Sequence, residues 1–161
     1  MIAMIAALCM AVTANAQFEQ GKVYLGGSLT GLNLKYSGLD ELSLGLQAQA
    51  GYMFDDNLML LGHMAYDHRG GKASDDRLSV GVGGRYYIEQ NGIYLQVNCK
   101  YMHGMHGYND LLSGVEVGYS FFLSRTVTVE PAIYYDQSFK KHSDFSTVGL
   151  KIGLGVYLFT D

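Results

Sequence analysis

The 161-residue sequence predicts an all-β protein, an eight-stranded antiparallel up-and-down barrel that crosses a membrane. Three observations predict it. Eight segments alternate apolar and polar residues with a period of two, which is typical of strands. The turns between them alternate between short and longer connections, and apolar-face aromatic residues collect near the strand ends. Frequent glycine (21) and tyrosine (13) with a single proline suit long strands, since proline removes a ladder donor.

Composition narrows the class of protein. Hydrophobic residues make up 48% of the chain and charged residues 16%, below the roughly 25% charged that is usual in soluble domains. The length suits one domain. The net charge of −4 comes with no basic stripe, so nucleic acid is not expected as a partner.

The first 16 residues predict a secretory signal peptide rather than part of the fold. The run from Met1 to Val12 is nearly all apolar but shorter than the roughly 20 residues a spanning helix needs. Ala14-Asn15-Ala16 has the small-x-small pattern of a cleavage site. Residues 17–161 then form the barrel domain, in which Cys99 has no intramolecular partner.

The first four predicted strands cover residues 22–36, 42–54, 58–68 and 77–88. The first changes phase, because its apolar residues share one face up to Leu29 and the other face from Leu32. A bulge near Gly31 would bring both sets onto one face. The second strand alternates without a break and ends at Asp55-Asp56-Asn57, a tight turn. A polar loop is expected over residues 69–76.

The last four predicted strands cover residues 93–102, 111–123, 126–135 and 147–159. Asn91-Gly92 is a strong hairpin signal before the fifth strand. Longer loops are expected over residues 103–110 and 137–144. Pro131 predicts a local bulge in the seventh strand, since proline cannot donate to the ladder.

Aromatic residues on the apolar face form two predicted girdles. Those ending the odd-numbered strands are Tyr36, Tyr66, Tyr101 and Tyr135. Those toward the opposite end of the barrel are Tyr52, Phe54, Tyr86, Tyr119 and Phe121. Two girdles around an aliphatic band match the two interfaces of a membrane.

The polar face decides between a membrane barrel and a soluble, lipocalin-like barrel with its apolar face inward. That face has few charges, and their signs balance: Arg77, Arg85, Lys100 and Lys151 against Asp67, Glu116, Glu130 and Asp136. A balanced set fits a narrow lumen in which charges must pair. The apolar face is therefore predicted to face lipid.

The closing strand carries the most specific motif. Lys151-x-Gly153-x-x-Val156-x-Leu158, followed by Phe159, resembles the polar-x-Gly-x-x-hydrophobic-x-hydrophobic signal by which barrel assembly machinery recognises a last strand. Residues 22–159 resemble the small eight-stranded outer-membrane barrels of Gram-negative bacteria, the OmpA-like and opacity-protein-like superfamily. The resemblance implies a bacterial outer-membrane location and that machinery as a partner during biogenesis. Thr160 and Asp161 after the terminal aromatic depart from the pattern.

The inward charges are the first candidate site. In family members of this size, paired charges can gate a small pore, and the counterparts by position type are Arg85, Lys100, Glu116, Glu130 and Lys151. Eight strands leave an interior that side chains just fill, so a closed ion-pair network that also includes Arg77 and Asp136 is the preferred interpretation. A narrow gated channel for small solutes is the alternative, since inward glycines could leave water-filled space.

Metal and enzyme sites are weaker hypotheses. His68, His103, His106 and His142 are spaced too loosely for a ligand motif, and no cofactor is expected. His142-Ser143-Asp144 lies where some outer-membrane barrels carry lipid-modifying chemistry. Adjacent strand residues point to opposite faces, and the His-x-Ser motif of the lipid A deacylase family is absent. A lipid-modifying enzyme is therefore a distant alternative.

Together these observations predict a non-enzymatic, monomeric outer-membrane barrel with a structural or surface-interaction role. Outer-membrane lipid surrounds it, and an even number of strands puts both termini on the periplasmic side.

Overall fold

A computed structural model describes residues 18–32, 43–69, 75–88, 91–104, 109–139 and 147–158. The predicted signal peptide lies outside these residues. The described strands are β1 (Val23–Leu32), β2 (Ser43–Asp55), β3 (Leu58–Arg69), β4 (Asp75–Tyr87), β5 (Ile93–Gly104), β6 (Asn109–Tyr119), β7 (Phe121–Phe122), β8 (Val127–Ser138) and β9 (Thr147–Leu158). No helix in these ranges is long and apolar enough to cross a membrane.

The strands form one closed antiparallel barrel. Each strand from β1 to β6 pairs with the next, β8 pairs with both β6 and β9, and β9 returns to β1. The short β7 continues the line of β6 past Ser120 and also pairs with β8. The nine segments therefore make eight strands around the barrel, which confirms the predicted fold class.

The two ends of the barrel differ in their connections. Val23 pairs with both Tyr52 and Leu158, so the chain enters and leaves at the same end. The short connections at 56–57, 88–92 and 123–126 lie at this end, called here the turn end. The opposite, loop end carries the connections over 33–42, 70–74, 105–108 and 140–146, which lie outside the described residues.

The strands extend further toward the loop end than predicted. Arg69 pairs with Asp75, and His103 pairs with Asn109, so the predicted loops 69–76 and 103–110 are partly strand. Gln137 also belongs to β8 rather than to a loop. Backbone pairing does not need apolar side chains, so polar residues continue the ladder where the alternating pattern ends.

Pro131 does not produce the predicted bulge. The pairing of β8 with β9 runs through Pro131 opposite Ile152 without a shift. On the other side, the pairs Gly118–Ala132 and Phe121–Val129 place Tyr119 opposite Pro131. The hydrogen-bond ladder on this side of β8 is interrupted at Pro131, because proline has no N–H to donate. This interruption separates β6 from β7.

The bulge predicted in the first strand is present. The pairing of β1 with β9 runs in register up to Thr30–Lys151 and resumes at Leu32–Leu150, with a shift between them. Gly31 is the extra residue. Leu32 thus pairs with Leu150, a residue of the outward face of β9. The bulge therefore shifts the alternation of β1 by one residue, as the apolar pattern of the sequence predicts.

The apolar face points outward on every strand, which confirms the predicted orientation. Exposed aliphatic side chains form a belt that includes Leu29, Leu46, Leu60, Val82, Val97, Val117, Ile133 and Leu154. The exposed aromatic residues Tyr66, Tyr101 and Tyr135 lie at the loop end, and Tyr52, Phe54, Tyr86 and Phe121 lie at the turn end. An apolar surface of this size on a soluble monomer would be unusual.

Candidate functional site

The lumen is the candidate site, because the inward face gathers nearly all the buried polar side chains of the described residues. They include Ser28, Gln47, Gln49, His63, Ser79, Arg85, Gln96, Asn98, Glu116, Glu130 and Lys151. Side chains two apart share one face of a strand, so each strand contributes a column of inward residues running from the turn end to the loop end.

Arg85 is the centre of this network. Its Nη1 donates to Glu130 Oε2 at 2.9 Å, and its Nε donates to Gln96 Oε1 at 2.8 Å. A weaker bond of 3.2 Å joins Nη2 to Gln49 Oε1. The guanidinium also lies 4.0 Å from the ring centroid of Tyr94, within the range of a cation–π contact. Arg85 on β4 thus contacts side chains from β2, β5 and β8 across the lumen.

Glu130 receives donors from several strands. Its Oε2 accepts from Tyr24 Oη at 2.8 Å as well as from Arg85. Its Oε1 accepts from Thr128 Oγ1 at 2.9 Å and from Ser120 Oγ at 3.2 Å. A buried carboxylate is tolerated when its charge is paired and its lone pairs are filled, and this carboxylate meets both conditions.

Two further ion pairs lie beyond Arg85. Lys151 Nζ contacts Glu116 Oε2 at 2.5 Å, and Tyr94 Oη donates to the other oxygen of that carboxylate at 2.9 Å. Lys100 Nζ donates to Asp136 Oδ2 at 2.8 Å and to Oδ1 at 3.0 Å. Each of the three pairs joins strands that are not neighbours, so each crosses the lumen rather than following its wall.

Exposure of the ion pairs rises toward the loop end. The side chains of Arg85 and Glu130 are 1% and 3% exposed, and those of Lys151 and Glu116 are 4% and 3% exposed. The side chains of Lys100 and Asp136 are 13% and 15% exposed. The Lys100–Asp136 pair is therefore the most exposed of the three, and the Arg85–Glu130 pair is among the most deeply buried.

The middle of the lumen also contains buried polar atoms with no hydrogen-bond partner among the described residues. They are Ser28 Oγ, Gln49 Nε2, Gln96 Nε2, Asn98 Oδ1 and both ring nitrogens of His63. Between Ser28 and Gln49 lies a gap of about 10 Å³, bordered by Arg85, Lys151 and Gly153. Such a volume holds about one water molecule, and the bordering groups are polar enough to bind it.

The turn end of the lumen is filled differently, by rings and thioethers. Its buried residues are Phe18, Tyr24, Met53, Met59, Leu61, Tyr87, Tyr94 and Tyr157. The hydroxyls of Tyr87 and Tyr157 lie 2.5 Å apart. The buried side chains at this end are thus mostly aromatic or apolar, with Lys22, Ser120 and Thr128 as the buried polar residues among them.

Large neighbours occupy the space beside the inward glycines. A Cβ on Gly118 would collide with the ring of Tyr94, its direct cross-strand partner, and a Cβ on Gly149 would collide with the ring of Tyr134 in the same way. These two glycines therefore accommodate aromatic rings, whereas Gly153 borders the water-sized gap.

Six of the seven predicted lumen residues meet in three ion pairs. Arg77 pairs through its backbone with Asp67 and Gly104, but its side chain lies outside the described residues. In the closing-strand motif, Lys151 and Gly153 are buried in the lumen, Leu158 is exposed on the outward face, and Phe159 lies outside the described residues.

The weaker candidates lie mostly outside the described residues. His103 is exposed near the loop end of β5, His68 lies in β3 with an undescribed side chain, and His106 and His142 lie outside the described residues, as does the His142-Ser143-Asp144 triplet. Among the described residues, no three His, Cys, Asp or Glu side chains group to hold a metal.

The sequence does not reveal which polar residues contact the charges. Gln49 and Gln96 bind Arg85, but nothing in a strand pattern marks which amides contact a given arginine. Phe18 lies between the predicted cleavage site and the first strand, where no periodic signal exists.

The whole chain resembles one family. The family model described as "outer membrane protein beta-barrel domain" matches residues 2–161. The chain belongs to this family. As an outer membrane protein β-barrel, it is located in the bacterial outer membrane. No curated protein matches the sequence at a significant level.

Solved structures show the same fold at low sequence identity. Neisserial surface protein A is 16% identical with a TM-score of 0.70, over 85% of this chain and 99% of that one. OprG from Pseudomonas aeruginosa is 14% identical with a TM-score of 0.66, over 89% and 99%. The Yersinia pestis protein Ail is 16% identical with a TM-score of 0.62, over 86% and 100%. The likeness to these small barrels supports the fold of this outer membrane protein β-barrel.

Proposed function

We propose that this protein is a non-conducting outer-membrane barrel with a structural or surface-interaction role, acting through its loop end. The observation that carries the proposal is the plug formed by Arg85 and Glu130, which lie 2.9 Å apart and are almost completely buried in the lumen. Side chains from β1, β2, β4, β5 and β8 meet there, which supports a lumen closed to solutes.

The orientation follows from the connections. Outer-membrane barrels have short periplasmic turns and longer outer loops. The turn end of this barrel carries both the N-terminal entry and the C-terminal exit of the described chain. We therefore assign the turn end, with both termini, to the periplasm and the loop end to the cell surface.

The partners follow from the same surfaces. The protein is a monomer, and its outward apolar belt contacts outer-membrane lipid. The closing strand β9 engages the barrel assembly machinery during biogenesis. The six charged side chains of the three ion pairs are occupied by one another, which favours a non-enzymatic protein.

A narrow gated channel is the second candidate. The observation in its favour is the rise in exposure from Arg85 to Lys100, which makes the loop-end half of the lumen the more open half. A channel would need the Arg85–Glu130 plug to separate during gating, at the cost of leaving two charges unpaired in a buried position.

Planar-bilayer recording separates the two candidates. The purified protein is expected to give no conductance above leak at voltages of either sign, whereas discrete openings would establish the channel and overturn the closed-lumen proposal. The surface role is tested by pull-down from intact cells, comparing the protein with variants in which residues 70–74 or 105–108 are replaced by glycine and serine. An identical set of captured partners in all three would contradict it.

A further inference from the structure

We propose that residues 18–22 form a separable N-terminal cork, which closes the turn end of the lumen independently of the Arg85–Glu130 plug. The inference rests on the proposed closed lumen and adds a second seal to it. It is carried by the position of one side chain that belongs to no strand.

Phe18 is the residue of the cork whose side chain fills the turn end of the lumen. Its side chain is 0% exposed. Its ring stacks on that of Tyr87, with centroids 3.8 Å apart and planes 12° apart, and meets the edge of the Tyr157 ring at 5.9 Å. The next two residues, Glu19 and Gln20, are exposed. One aromatic side chain thus enters the lumen from the rim, while the chain beside it stays in solvent.

Hydrogen bonds to the first tight turn hold the cork in place. The N–H of Asn57 donates to the carbonyl of Phe18 at 2.8 Å, and the N–H of Gln20 donates to Asp56 Oδ1 at 3.0 Å. The Gln20 side chain donates to the carbonyl of Phe54 at 2.9 Å. These contacts go to residues 54–57, and Gly21 and Lys22 are bonded to the adjacent Met53, so the cork is attached along one short stretch of the rim.

Gly21 lets the chain turn back from the cork into β1. Its φ is +90°, a conformation that favours glycine, and its N–H donates to the carbonyl of Met53 at 2.8 Å. A Cβ there would have nothing within 4 Å, so the glycine serves the backbone conformation and not close packing.

The barrel wall closes without the cork. The first residue paired with both neighbouring strands is Val23, opposite Tyr52 and Leu158. Removing Phe18 from the lumen therefore breaks no pairing between strands. It would expose the buried turn-end layer, in which Met53 and Met59 are 0% exposed.

Cysteine labelling tests the cork. The full chain is expressed into the outer membrane with Cys99→Ser as background, since Cys99 is exposed on the outward face, and Met53→Cys as reporter. A small charged methanethiosulfonate is applied to the folded protein in detergent, where both ends of the lumen face solvent. We expect slow labelling with Phe18 or Phe18→Leu, and labelling at least tenfold faster with Phe18→Gly.

Two results would overturn the cork. One is a Met53→Cys labelling rate that is the same with Phe18→Gly as with Phe18, with Met59→Cys giving the same answer. The other is loss of heat-modifiable gel migration in Phe18→Gly, which would make Phe18 part of the core and not a separable element. Conductance of the parent protein is a separate outcome: it contradicts the closed lumen, whereas Phe18-independent labelling contradicts the cork.

Discussion

Arg85 on β4 and Glu130 on β8 are joined at 2.9 Å across the lumen, although two strand positions of the barrel wall lie between β4 and β8. A pair that spans the barrel links non-adjacent strands of the wall, so its loss should lower the stability of the whole barrel. The same pair forms the plug of the proposed closed lumen.

Replacing one member of this pair should be strongly destabilising. We expect Arg85→Met or Glu130→Gln alone to lower the free energy of unfolding by about 3–5 kcal/mol, because each leaves a buried group without its opposite charge. The double variant should lose less than the sum, by roughly 1–3 kcal/mol of coupling. Urea unfolding in lipid vesicles, followed by heat-modifiable migration, measures all four proteins, and strict additivity would contradict direct coupling.

Water should reach the lumen from the loop end and stop before the turn end. Ala65 and Leu61 point inward from the same strand, and Ala65 is partly exposed whereas Leu61 is 1% exposed. In the Cys99→Ser background, we expect Ala65→Cys to react with a small charged thiol reagent much faster than Leu61→Cys. Equal labelling rates at the two positions would show that access of water does not decrease from the loop end to the turn end.

The sequence predicts those features of the structure that depend on residues close together in the chain. The strands and their inward positions could be predicted, because alternation with a period of two is written in consecutive residues, as in Gln47 and Gln49 between exposed neighbours. The choice of ion-pair partners could not be predicted, because Lys151 reaches Glu116 over the strand that carries Ala132, and that depends on the stagger of the closed barrel. Phe18 was missed because it acts outside any repeating pattern.

Gly114 should be essential for the Lys100–Asp136 pair. A Cβ at this position would collide with Asp136 Oδ1 and approach Asn98 Nδ2, so Gly114→Ala must displace the carboxylate that Lys100 binds. We expect a loss of roughly 1–3 kcal/mol, as for other overpacked sites. Gly27→Ala is the matched control, since its only close neighbour is a backbone oxygen at 3.9 Å. Equal stability of the two variants, measured by urea unfolding, would contradict the role assigned to Gly114.

Restoring an N–H at position 131 should join β6 and β7 into one continuous strand. Pro131 lies opposite Tyr119, where the ladder with β8 lapses, while the pairs Gly118–Ala132 and Phe121–Val129 on either side keep one register. Because the strands are already aligned, Pro131→Val needs no shift of the backbone, and valine suits an outward position in a strand.

We expect Pro131→Val to raise the free energy of unfolding by about 1 kcal/mol, the net worth of one hydrogen bond, and to slow amide exchange at residues 119–121. Ile133→Val, two residues along the same outward face, is the control for a change of side chain alone. If amide exchange at residues 119–121 slowed in Ile133→Val, or did not slow in Pro131→Val, the missing N–H of Pro131 would not be what separates β6 from β7.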